Sequence, residues 1–269
     1  MASRKRLLLF CALGALGLLG LLSVLGRGCP SPGTPLEPAL TIAPRYARRT
    51  RLVLVPGHSV FTGADFRAGA DEHSWLLETY QRGQLATLVR HIREGVRIAA
   101  ADNGALLLFS GGQTRPAAGP RSEAQSYWAV ADAAGWWGHR KVRARSLTET
   151  FARDSFENVA FSLCRFRQLT GRFPENVTVV GFEFKRRRFE QLHRAAVGFP
   201  AERFTYVGID PGGVDMAAAK TSERRTAAAF EADPRGCSQF LVRKRLSRDP
   251  FAQGALTYGA CSAAVACAA

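Results

Sequence analysis

Five stretches of this 269-residue chain carry side chains able to act on a charged ligand. His58 follows Pro56-Gly57; Ser110-Gly111-Gly112 precedes Gln113, Thr114 and Glu123; Glu149 precedes Asp154, Ser155 and Asn158; Glu183 precedes Lys185, Arg186, Arg187 and Arg188; and Asp210 precedes Gly212 and Gly213. Glu123 and Glu149 have the chemistry of a general acid and base, and the same carboxylates can hydrogen-bond ribose hydroxyls or cap helices. His58 reads as a base, a ligand donor or a satisfied structural histidine. The Ser110-Gly111-Gly112 loop lets backbone N–H groups approach an oxyanion, because glycine has no side chain and tolerates positive φ; a helix N-terminus behind it adds a favourable dipole. Its other reading is a turn leaving a buried strand. Four cations at a helix start oppose the helix dipole, so the run Lys185–Arg188 calls for an anionic ligand, for Glu183 and Glu190 as partners, or for a solvated turn. Asp154 reads first as a helix cap, with Ser155 and Asn158 on the turn after it. His193 reads as structural or surface. Ser59 and Ser110 are poor nucleophiles, since neither sits in a G-x-S-x-G elbow. Walker A and G-x-G-x-x-G patterns are absent, and neither a C-x-x-C pair nor any histidine cluster offers zinc-ligand spacing.

These groups work together only if a scaffold gathers them. Short apolar runs predict strands over Arg51–Val55, Leu106–Phe109, Lys141–Ser146, Val177–Val180 and Phe204–Gly208. Leu85, Leu88, Val89, Ile92, Val96 and Ala99 recur at helical spacing and predict a long helix over Ser74–Ala100. Further helices are expected over Arg121–Ala134, through Phe156–Leu169, over Arg187–Gly198 and over Met216–Ala232. Asp154 with Glu157 three residues later is an N-cap signature for the second of these. Strand–helix alternation predicts an α/β sandwich, with a mostly parallel sheet between two helical layers. Right-handed crossovers then put every strand-to-helix loop on one edge, where open sheets bind ligands. His58, Ser110–Gly112, Glu123, Glu149, Ser155, Asn158, Lys185 and Arg188 are thereby expected around one cleft.

Lys+Arg 37 against Asp+Glu 22 gives a net charge of +15, which favours anionic partners and says nothing about fold. A composition 46% hydrophobic and 22% charged excludes wholesale disorder. Six cysteines in this length are too few for a disulfide scaffold. Met1–Arg6 is basic, and Leu7–Leu25 then runs without a charge, long enough to cross a hydrocarbon core of about 30 Å as a helix. A retained membrane anchor is expected there, a cleaved signal being the alternative at Gly26-Arg27-Gly28. The basic residues ahead of the span place the N-terminus inside by the positive-inside rule, so the domain is expected on the lumenal or extracytoplasmic side, or secreted if cleavage occurs. The sequon Asn176-Val177-Thr178 agrees with that side. Residues 1–28 thus form the anchor, 29–48 a proline-rich linker, 49–252 the α/β domain and 253–269 an alanine-rich tail. For Cys237, Cys261 and Cys267 near the tail, a Cys237–Cys261 bridge is one reading and free thiols the other.

Leu107–Gly112 (LLFSGG), Arg121-Ser122-Glu123-Ala124, and Glu149 followed by Asp154-Ser155-Phe156-Glu157-Asn158 together resemble the YdcF/SanA/ElyC-like family, catalogued as domain of unknown function 218. Its pattern is an S-G-G loop, an S-E-A segment and an E…S/T-x-x-N segment in this order. Its eukaryotic branch adds runs like Gly181–Pro200 and Gly208-Ile209-Asp210-Pro211, and Gly57-His58 after the first strand. The resemblance spans about residues 50–250. It implies a Rossmann-like fold, envelope proteins with one membrane anchor and, for one bacterial member, S-adenosylmethionine binding; no general reaction is established. The shared positions are Ser110, Gly111, Gly112, Glu123, Glu149, Ser155 and Asn158. Bacterial members have a histidine and arginine after the fourth strand, where this chain has Phe184 and Lys185–Arg188.

The expected function is a membrane-anchored protein whose strand-end cleft binds a nucleotide-like or phosphorylated small molecule, with transferase or hydrolase chemistry open. The alternative is a non-catalytic envelope or Golgi factor working through lipid or protein contact. Nucleic acid ranks last as a partner, because a lumenal domain would not meet it. No metal is expected.

Overall fold

A computed structural model describes residues 44–213 and 215–253, Tyr258 and Cys261. The expected membrane span Leu7–Leu25 lies outside them. Among the described residues no helix is long and apolar enough to cross a membrane.

Strand β1 (Arg51–Pro56) occupies the middle of the main sheet. Its side chains alternate with the period of two that a strand imposes. Leu52 and Leu54 join one core cluster, and Val53 and Val55 join another on the opposite face. Strand β4 (Ala105–Ser110) repeats the alternation, with Leu106 and Leu108 on one side and Leu107 and Phe109 on the other. Both faces are therefore dry, and each fully buried aliphatic side chain such as Leu54 contributes about 2 kcal/mol of transfer free energy. Strands β5 (Ser146–Glu149), β6 (Asn176–Gly181) and β7 (Phe204–Gly208) complete a five-stranded sheet in the order β5-β4-β1-β6-β7, every pair parallel. Helices α1 (Leu85–Ala101) and α2 (Glu123–Ala133) cover one face, and α3 (Ser155–Thr170) covers the other. This is an α/β sandwich consistent with a Rossmann-like fold. The strand order reverses direction between β1 and β6, the crevice at which open α/β sheets hold ligands.

Several elements differ from the sequence expectation. The helix expected from Ser74 begins only at Leu85. Ahead of it Gly83 has positive φ (76°), and Trp75–Leu76 (β3) pairs antiparallel with Val60–Phe61 (β2). The third strand begins at Ser146, not Lys141. Arg140–Arg145 is a 3-10 turn that tucks the Arg145 guanidinium under the sheet, donating to the carbonyls of Asp102 and Ala105 at 3.0 Å each. The helix expected over Arg187–Gly198 is a π-helical turn, Arg188–His193, running into the short α4 (Arg194–Ala196). Helix α5 (Ala217–Ala232) matches its expectation to within a residue, and α6 (Gln239–Leu246) was not expected. The core also starts earlier than Arg49, since Tyr46 is buried against Leu52 and its neighbours. Cys261 bonds Cys164 of α3, with Cα atoms 5.7 Å apart, which replaces the Cys237–Cys261 pairing; Cys237 is itself disulfide-bonded.

Candidate functional site

A cavity of about 130 Å³ opens at the reversal point. His58 enters it from the end of β1, Lys185 and Arg188 from the end of β6, Glu123 from the start of α2, and Ser155 and Asn158 from the first turn of α3. Six of the ten residues singled out from the sequence therefore meet here. The other four, Ser110, Gly111, Gly112 and Glu149, lie behind the wall.

The glycine loop shapes that wall. Gly111 N–H donates to the Glu149 carbonyl at 3.0 Å and Gly112 N–H to the Ala152 carbonyl at 2.7 Å. The amides of Glu123 and Ala124 at the following helix start donate back to the carbonyls of Gly112 and Gly111. The cradle of free N–H groups expected for an oxyanion at this loop is thus closed by the chain's own carbonyls. The glycines serve Glu123 instead: a Cβ on Gly57 would lie 2.5 Å from Glu123 Cβ, and one on Gly111 (φ 154°) 2.7 Å from Glu123 Oε2. Wedged there, the Glu123 carboxylate accepts a hydrogen bond of 2.5 Å from Thr114 Oγ1.

Glu149 is fully buried. It accepts from the Ser110 hydroxyl, from the amides of Phe151 (2.7 Å) and Ala152 (3.2 Å), and from Tyr258 OH (3.3 Å). Asn158 Nδ2 donates to Ser110 Oγ at 2.9 Å, so Asn158 and Ser110 link the buried carboxyl to the cavity wall. Burial raises the Glu149 pKa to about 7, with the hydrogen bond from Ser110 acting against the shift.

The cationic run divides. Arg186 pairs with Glu183 and Glu190, and Arg187 with Glu231; only Lys185 and Arg188 line the cavity. The Arg188 guanidinium is gripped by Glu223 of α5 through two bonds, 2.8 and 2.7 Å, and donates to Ser155 Oγ at 2.5 Å. Lys185 Nζ stands 5.0 Å from the Phe182 ring centroid and 5.6 Å from that of Phe184, with no carboxylate of the described residues in ion-pair range. Burial, reinforced by the Arg188 charge, lowers its pKa to about 7. The His58 ring lies 5.1 Å from that of Phe182, tilted by 35°, and its Nε2 has no hydrogen-bond partner among the described residues. Burial and then Lys185 hold its pKa well below the ordinary imidazole value, so the ring is neutral.

Sequence reasoning missed half of this lining. Arg115, Arg153, Glu223, Lys244 and Arg248 all face the cavity; Arg115 and Arg153 sit in the loops after β4 and β5, where sequence reasoning passed over them. Glu223 lies on α5, and Lys244 and Arg248 lie on and just after α6, elements whose docking is a tertiary matter. The dense cations Arg243-Lys244-Arg245 were the available signal. His193 is fully buried with Nε2 2.8 Å from Ser155 Oγ, not on the surface. Asp154 caps α3 as expected, accepting from the Glu157 amide. Six cations (Arg115, Arg153, Lys185, Arg188, Lys244, Arg248) line the wall; Arg115 pairs with Glu78, Arg153 with Glu157 and Asp249, and Arg188 with Glu223, which leaves Lys185, Lys244 and Arg248 without an ion pair among the described residues. Burial and then the Arg248 charge lower the Lys244 pKa to about 8, with Asp154 and Glu223 acting against the shift.

The chain is similar to the uncharacterized protein YOR238W of Saccharomyces cerevisiae, 25% identical over 256 residues, covering 76% of this chain and 84% of the yeast protein. No model of a protein family matches it, and no solved structure does.

Proposed function

We propose that the cavity at the strand reversal binds a phosphorylated or nucleotide-like anion, and that the chain is a membrane-anchored relative of the YdcF/SanA/ElyC-like proteins. The observation that carries the ligand class is the set Lys185, Lys244 and Arg248 on the cavity wall, none of which has an ion pair among the described residues, whereas Arg115, Arg153 and Arg188 do. Two desolvated cations with lowered pKa values regain their ordinary protonation when an anion arrives. S-adenosylmethionine fits less well: its sulfonium and ammonium give it a net positive charge, and the Gly111 and Gly112 amides are already bonded. The hydrogen-bonded set Ser110, Glu149 and Asn158 supports the family reading, since these are positions shared with its pattern. The disulfide Cys164–Cys261 supports an oxidising, lumenal or extracellular compartment, and Asn176 of the sequon is exposed.

Isothermal titration of the full chain with inorganic phosphate, pyrophosphate, a nucleoside diphosphate and S-adenosylmethionine tests this. Pyrophosphate or the nucleotide binds, Lys185→Gln weakens binding at least about tenfold, and affinity declines above pH 7 as Lys185 loses its proton. Silence towards every anion removes the reading.

A second reading, a non-catalytic factor acting at a lipid surface, is favoured by Phe240 and Leu246 of α6, which are 62% and 63% exposed beside Arg243. Binding to anionic vesicles that Phe240→Ser abolishes and Lys185→Gln leaves intact would support it.

A further inference from the structure

We propose that Ser155 is a nucleophile of this cavity, acting with His193 and Arg188, and that it attacks the phosphorus of a phosphate ester. The proposal deepens the anion-binding reading and rests on it for the substrate class. Three contacts define the constellation. Ser155 Oγ lies 2.8 Å from His193 Nε2 and receives a 2.5 Å hydrogen bond from Arg188 Nη1, which Glu223 holds in place by two further bonds. Ser155 is partly open to the cavity, whereas His193 is sealed behind it.

The backbone is bent to make this contact. Arg188 and His193 are five residues apart, which in an α-helix sets them about 140° from each other around the axis. The π-helical turn Arg188–His193, with Arg194 N–H bonded to the Phe189 carbonyl, brings residues five apart onto one face. Both side chains then reach the same hydroxyl. Packing alone gives no reason for histidine here. Phe156, Phe189 and Phe230 surround the ring, with centroids 6.0, 5.4 and 4.7 Å away. Its Nδ1 is buried without a hydrogen-bond partner among the described residues. A carbon side chain would fill that space without an orphaned nitrogen, and such orphans in native proteins call for a functional explanation.

The chemistry follows from these positions. The neutral ring carries its proton on Nδ1 and accepts the Ser155 proton at Nε2. Burial and then the Arg188 charge depress the basicity of His193. A phosphate group beside Arg188 offsets that charge, so the base is strengthened when substrate is present. In the first step the Oγ–P bond forms, the bond from phosphorus to the alcohol oxygen breaks, the serine proton passes to His193, and the departing alkoxide takes a proton from water on the cavity side. In the second step water attacks the phosphoserine and gives its proton to that solvent, while the Oγ–P bond breaks and Oγ takes back the proton held by His193. The products are the free alcohol and phosphate. Arg188 and Lys185 face the phosphoryl oxygens, and the amides of Ser155 and Phe156 at the helix start have no acceptor among the described residues.

A fluorophosphonate reports this attack directly: Oγ–P forms, P–F breaks, fluoride leaves and the proton goes to His193. Intact-mass and peptide mapping of the full chain after treatment is expected to show one adduct, on Ser155, absent in Ser155→Ala and formed at least about fiftyfold more slowly in His193→Gln. Since His193→Gln can disturb folding, Ser155→Cys provides a second measurement: its thiol is expected to titrate below pH 7, against an ordinary value of about 8.5. No adduct on Ser155, or a thiol titrating near 8.5, overturns the proposal. Inorganic phosphate separates the two readings. If it raises the melting temperature of wild type and Ser155→Ala alike while no adduct forms, the anion site stands and the nucleophile falls. If Ser155 is labelled but phosphate neither protects it nor shifts the melting temperature, the anion site falls and the phosphate-ester assignment falls with it.

Discussion

Glu149 is held against the preference of its surroundings. A carboxyl that titrates near 4.5 in the open chain and near 7 in the fold gives a native state that binds more protons between those values. Stability from this group is therefore greatest below pH 4.5 and is lost as pH rises to 7, by about 3 kcal/mol in all. The buried histidines His58, His91 and His193, whose pKa values are lowered, gain stability over the same range as pH rises. Glu149→Gln is therefore expected to make melting temperature rise more steeply from pH 4.5 to 7 than in wild type, and a thermal series across that range at fixed ionic strength measures it. The same slope in both proteins would mean that Glu149 is not the titrating group. Lys185 behaves with the opposite sign: its lowered pKa makes the fold more stable as pH rises above 7, so the Glu149 series is best closed at pH 7. The sequence named both residues. It had no means of showing that one is sealed under the sheet edge and the other opens into the cavity.

At the scale of elements, the junction of α3 with α6 holds the cavity closed on one side. Asp154 Oδ1 caps α3 through the Glu157 amide at 2.9 Å, and its Oδ2 accepts from Arg245 Nε at 2.6 Å. Arg245 in turn donates to the carbonyls of Arg235 and Gly236, which end the turn before α6. The pair is almost fully buried, and without Asp154 the buried Arg245 keeps only the longer contact to Glu157, 3.3 Å, a costly loss for a desolvated cation. Asp154→Ala is expected to lower stability by about 3 kcal/mol in urea denaturation, the cap and the ion pair being lost together. Asp154→Asn keeps the cap and should cost less. The cap was legible because Asp154 and Glu157 stand at the right spacing in the chain. Arg245 is 91 residues away, and no local pattern points from one to the other.

For the whole molecule, the bridge Cys164–Cys261 closes a loop of sequence separation 97, joining the C-terminal tail to the back of α3. A loop of that length is worth about 4.7 kcal/mol in chain entropy. Cys164→Ser with Cys261→Ser should lower the unfolding free energy by that order, and hydrogen exchange at the Phe151 and Ala152 amides should quicken as Tyr258 leaves Glu149. Unchanged exchange would show that the tail docks without its bond. The alanine-rich tail offered no periodicity to read, and among its described residues Cys261 and Tyr258 make the attachment through one sulfur and one phenol rather than through a repeating face.

Local physics was enough for much of this protein. Alternation along β1 and β4, helical spacing from Leu85 to Ala99 and the cap at Asp154 all act between near neighbours, so the parallel sheet, its two helical layers and the edge on which His58, Glu123, Ser155, Asn158, Lys185 and Arg188 meet could be read from residue order. Tertiary structure alone decided which polar groups are shielded and which are open. It closed the Gly111 and Gly112 amides on backbone carbonyls, buried Glu149, turned Arg186 and Arg187 outward and brought Glu223, Lys244 and His193 inward. Burial and charge pairing act through space, between groups tens of residues apart, and a sequence orders its residues only along the chain.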